Sequence, residues 1–73
     1  MPEEIKIGDR VQIFLDANVW GSEGWFDGTV VRIDPYTQHR SFFWVQLDDN
    51  SAAMLGKGTR LISVLNPKNI RKA

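Results

Sequence analysis

No stretch of ten or more residues in this chain repeats its apolar positions every 3.6 residues. Instead, short runs of alternating or β-branched and aromatic residues recur, broken by turn formers, and such a pattern specifies strands rather than helices. Val11, Ile13 and Leu15 alternate with Arg10, Gln12 and Phe14 after the Gly8-Asp9 turn, which predicts a first strand. Residues 16–24 hold two glycines and several turn-forming residues and are expected to be a loop. Residues 25–33 predict a second strand, in which Gly28 marks a bend or a close backbone approach. Asp34-Pro35-Tyr36 is expected to stop it, because proline cannot donate to a sheet ladder.

Residues 42–47 predict a third strand that is apolar on both faces, and Asp48-Asp49-Asn50 a turn. Residues 51–55 suit a helical turn or an irregular excursion ended by Gly56 and Gly58. Residues 60–65 alternate again as a fourth strand, Asn66-Pro67-Lys68-Asn69 suits one 3₁₀ turn, and Ile70 and Arg71 a short last strand. Five short strands call for a small antiparallel barrel, since closure removes edges that would otherwise aggregate.

At 73 residues the chain makes one domain, with a core spanning about residues 7–72. It has no cysteine, so disulfides, thiolate metal sites and cysteine nucleophiles are excluded. Its polar, acidic start and the lack of a long apolar run predict a soluble cytoplasmic protein without membrane insertion. His39 stands alone in a polar connection, and no serine is distinguished as a nucleophile. The acidic triplet lacks the spaced ligands of a calcium loop, and no phosphate-binding glycine loop is present. Catalysis, a metal and a cofactor are therefore not expected.

The order of strand, long loop, hairpin, further strand, Pro-x-Asn turn and short last strand resembles the SH3-like barrel. Gly8-Asp9-Arg10-Val11-Gln12-Ile13 with Gly28-Thr29-Val30-Val31-Arg32-Ile33-Asp34 resembles Tudor or Agenet domains, the KOW motif and the small peripheral E subunit of photosystem I. Pro67-Lys68-Asn69-Ile70 resembles the closing turn of true SH3 domains, with Ile70 in place of their tyrosine, so a proline-rich ligand is not expected. Phe14, Trp25 and Phe26 match half of a Tudor cage, while Val45 and Asp48 stand where its other aromatics belong. The KOW likeness implies contact with nucleic acid, and the photosystem likeness implies docking on a membrane complex from its soluble side. Residues 62–65 lack the glutamine and tyrosine of the tetrameric plasmid reductases that share this barrel.

All eight aromatic residues lie between Phe14 and Trp44. If Phe43, Val45 and Leu47 face the core, Phe42, Trp44 and Gln46 face outward, beside Trp25, Thr29, Val31 and Ile33 of the neighbouring strand. Either residues 51–58 cover that side, with Met54 and Leu55 as a lid, or it is a binding patch. Trp20 is either a plug for the barrel end or an anchor. The expected function is a non-catalytic adaptor or accessory subunit that docks on a larger protein through Trp20, Trp25, Tyr36, Phe42 and Trp44. The alternative is nucleic-acid binding through Arg60, Lys68, Arg71 and Lys72, with an aromatic stacked on a base. The net charge of zero conceals two opposed halves: residues 1–49 hold nine acids and four bases, and residues 50–73 five bases and no acid. The basic end either cancels against the first half across the fold or projects to meet an acidic partner.

Overall fold

The computed structural model describes residues 4–21, 23–56 and 58–73, and all side chains among them except those of Val19 and Trp20. The elements are β1 (Arg10–Leu15), α1 (Ala17–Trp20), β2 (Gly24–Thr37), β3 (Arg40–Leu47), α2 (Asp49–Leu55), β4 (Leu61–Val64), a 3₁₀ turn (Pro67–Asn69) and β5 (Ile70–Lys72). The fold is mainly β, with five antiparallel strands in one sheet in the order β4-β3-β2-β1-β5 and a 3₁₀ turn before the last strand, as expected.

The length of β2 organises the sheet. Residues 24–29 of β2 pair with β1, and residues 28–37 pair with β3, so the two partnerships overlap only at Gly28 and Thr29. The sheet is thereby divided into two halves that share β2. Val11, Ile13 and Val45 are fully buried, although the described residues form no second sheet or long helix to cover the sheet. One half must fold over the other, and Val11 and Ile13 of β1, Val45 and Leu47 of β3, Ile62 and Val64 of β4 and Ile70 of β5 form one core. Gly28 sits at the crossing. A Cβ there would lie 2.6 Å from Val45 Cγ1 and 2.7 Å from the Gln46 carbonyl oxygen, so the glycine serves a close approach.

Four local expectations need correction. The segment after β1 is not all loop: Asp16 accepts the Asn18 N–H at 2.8 Å, and Gly21, at φ 79°, closes the single turn of α1. The stop at Asp34-Pro35-Tyr36 does not occur, since β2 continues to Thr37 and turns only at residues 38–39. Beyond Val30, β2 has no partner on its β1 side, and a register irregularity lies between Pro35 and Thr37; both are settings in which a strand tolerates proline. A second irregularity between Val30 and Arg32 inserts Val31 as an extra residue. It moves Ile33 from the expected outer side to the core side, where it opposes Phe43 and packs against the buried cluster.

The fourth correction concerns the lid. Residues 49–55 form a helix, closed by Gly56 at φ 70°, that turns Ser51, Ala52 and Leu55 into the core and leaves Met54 72% exposed. Ser51 Oγ accepts the Asp27 N–H at 2.9 Å, which ties α2 to β2 rather than over Phe42 and Trp44. The chain then enters β4 and the 3₁₀ turn. In that turn Asn66 accepts the Lys68 N–H at 2.9 Å and Pro67 supplies the first residue.

Candidate functional site

With α2 packed inward, the outer face of β2, β3 and β4 keeps a row of apolar side chains. Phe42 opposes Asp34, Trp44 lies between Arg32 and Ser63, and Gln46 lies between Thr29 and Leu61. These residues share the side that faces away from the core. Tyr36 meets the Phe42 ring edge to face, with centroids 5.3 Å apart. Val31, Arg32, Trp44 and Leu61 line one shallow depression. Tyr36 is 61% exposed, Leu61 49% and Val31 42%, while Phe42 and Trp44 are half-buried. Folded domains seldom leave so many large apolar groups side by side without use.

Two ion pairs border this row. Arg32 Nε donates to Asp34 Oδ1 at 2.8 Å, and Trp44 Nε1 donates to Asp34 Oδ2 at 3.0 Å. The Arg32 guanidinium first, then the indole N–H, holds the Asp34 carboxyl below its ordinary pKa. At the far end, Arg60 Nη1 contacts Asp49 Oδ1 at 2.5 Å. Beyond Phe42 on the same face of β3 lies Arg40, exposed opposite Thr37.

Trp25 belongs elsewhere. It lies nine residues before Asp34 along β2 and opposes Phe14 of β1, whose ring it meets at 5.6 Å. Arg71 of β5 lies 3.9 Å above the Trp25 ring centroid, and its Nε donates to Gln12 Oε1 at 3.0 Å. Gln12 Nε2 in turn donates to Asp27 Oδ1 at 3.0 Å. One face of the Trp25 ring is therefore occupied by a cation of the same chain. The five aromatics expected to share a surface thus separate: Tyr36, Phe42 and Trp44 come together, Trp25 joins Phe14, and the Trp20 side chain lies outside the described residues.

The basic residues also disperse. Arg60 pairs with Asp49, Arg71 stacks on Trp25, and Lys72 lies 3.5 Å from Asp9. Lys68 lies in the 3₁₀ turn. Two residues of the basic half, Arg60 and Lys72, thus meet acids of the first half across the fold, while Arg10 pairs with Asp48 within the first half. The Asp48-Asp49-Asn50 triplet spends its carboxylates on Arg10 and Arg60, and the described residues contain no cluster of three potential metal-ligating side chains. His39 is exposed at the β2–β3 turn. No helix is long and apolar enough to cross a membrane among the described residues.

Leu61 is a surface member that the aromatic residues alone do not indicate, although its alternation against Ile62 and Val64 marks it, while Val31 is exposed on the side where strand alternation places it. Comparison with protein families, curated proteins and solved structures gave no significant match.

Proposed function

We propose that the protein is a non-catalytic binding module whose outer β2–β3–β4 face docks on an apolar surface of a larger protein. The observation that carries this reading is the contiguous row of Val31, Tyr36, Phe42, Trp44 and Leu61 outside the core, bordered by the Arg32–Asp34 and Arg60–Asp49 pairs and by Arg40. Exposed aromatic residues bordered by arginine are what protein interfaces enrich. The strand order and the turn before the last strand also support placing the chain among the SH3-like barrels, whose members serve as docking modules.

A nucleic-acid surface would instead need cations gathered beside an open ring. Here two of the expected cations, Arg60 and Lys72, contact carboxylates and a third covers Trp25. Immobilised wild type and the Val31→Thr, Tyr36→Ala double variant, exposed to native cell extract, separate the two readings. The docking reading expects a retained protein that survives nuclease treatment and is lost with the double variant. Equal retention by both forms, or retention abolished by nuclease, overturns it.

A further inference from the structure

The sheet has two edges, and they are guarded differently. β5 is three residues long and carries Arg71 and Lys72, charges of the kind that discourage an added strand. β4 and the residue that follows it read Leu61-Ile62-Ser63-Val64-Leu65, with no charge and no proline. The register shows which backbone groups this edge presents. The Leu47 N–H donates to the Arg60 carbonyl at 2.7 Å, and residues 45 and 43 oppose Ile62 and Val64. Bonding alternates along an antiparallel ladder, so Ile62 and Val64 turn their N–H and C=O toward β3 while Leu61 and Ser63 turn theirs to the open side. Among the described residues no backbone hydrogen bond of the fold reaches these groups from that side.

A groove of about 220 Å³ runs along this edge, lined by Phe14 and Asp16 from the end of β1, Ser63 and Leu65, and Asn66 and Asn69 of the 3₁₀ turn. It is larger than the roughly 150 Å³ that admits a benzene ring. Asp16 is the one ionisable residue among the described lining residues, and Phe14 supplies an apolar wall. Backbone groups open for pairing, a groove of mixed apolar and polar lining and a negative charge at its end together describe an extended ligand with a positive residue.

We propose that the β4 edge receives an extended segment of a partner protein as a sixth strand, with an apolar side chain against Phe14 and a Lys or Arg toward Asp16. This site shares Leu61 with the outer-face row but uses its backbone groups rather than its side chain, and either can fail without the other.

Amide NMR on the full chain tests it with three synthetic probes: acetyl-Lys-Thr-Val-Thr-Val-Lys-amide, the same peptide with Glu at both ends, and the Lys peptide N-methylated at its four central residues. The Lys peptide is expected to shift the Leu61 and Ser63 amides and slow their hydrogen exchange at concentrations near 1 mM. The Glu peptide is expected to bind about fivefold more weakly. Asp16→Asn, which retains a capping side chain for α1, is expected to remove that preference. Absence of shifts at these amides, an equal response to the methylated peptide, or equal binding of both charged peptides overturns the proposal. So does protection of Leu61 and Ser63 that grows with protein concentration without peptide, because a second copy then fills the edge.

Discussion

A few side chains decide how this small sheet closes, and Gly28 is the most constrained of them. The atoms nearest a Cβ there include the Gln46 carbonyl at 2.7 Å, which is backbone and cannot rotate away. Gly28→Ala is therefore expected to lower unfolding free energy by about 2 kcal/mol through overpacking, read as a lower urea midpoint with an unchanged slope. Wild-type stability would show that the two halves of the sheet separate more easily than their contact implies. Ser51 is a second case, since its buried hydroxyl satisfies the Asp27 N–H. Ser51→Ala strands that donor and is expected to cost about 1 kcal/mol by the same measurement. The sequence marked Gly28 as a position of close approach, because a glycine weakens a β-branched run unless the backbone there must bend or come near another chain segment. It did not mark Ser51, whose partner lies 24 residues away and is identifiable only in the folded chain.

At the scale of elements, α2 shows how local pattern and tertiary packing divide the work. Seven residues with Ala52, Ala53, Met54 and Leu55 and a terminal glycine suit a short helix, but a helix of that length has no independent stability. Its orientation comes from the core, which takes Leu55 and leaves Met54 in solvent. Leu55→Ala is expected to destabilise the protein by about 2–4 kcal/mol in thermal or urea unfolding, and Met54→Ala by less than about 0.5 kcal/mol. The reverse order would restore the lid over Phe42 and Trp44. β2 makes the same point from the other direction. Its composition ended it at Pro35, yet pairing with β3 carried it to Thr37, because the β3 residues 40–43 needed partners and the β1 side of β2 was already unpaired. The extra residue at Val31 then exchanged the faces beyond it, which is why Ile33 was misplaced.

Across the whole molecule, the zero net charge proves to be a set of contacts. Arg10 with Asp48, Arg32 with Asp34, Arg60 with Asp49 and Lys72 with Asp9 join oppositely charged residues, and three of the four link different elements or their flanking turns. The Asp48 carboxyl is held low by Arg10, Asp34 by Arg32 and Trp44, and Asp9 chiefly by the Lys6 N–H. A carboxyl whose folded pKa is depressed contributes stability above its unfolded value of about 3.9, and that contribution disappears as pH falls through the folded value. The urea midpoint is therefore expected to stay level from about pH 7 to 5 and to fall below about pH 4. A midpoint unchanged to pH 2.5, or one rising on acidification, would show that these pairs do not favour the folded state. The sequence by itself determined the strand class, the strand count, the 3₁₀ turn and the two opposed charge halves, because alternation, turn chemistry and charge are local properties. It also offered Trp20, Trp25, Tyr36, Phe42 and Trp44 together as candidates for a docking surface. Only the tertiary structure decided that Trp25 leaves this group for Phe14 and Arg71, that α2 turns inward, and that Arg60 and Lys72 meet acids. Each of these depends on which residues the shared strand β2 brings face to face, and one inserted residue is enough to change that.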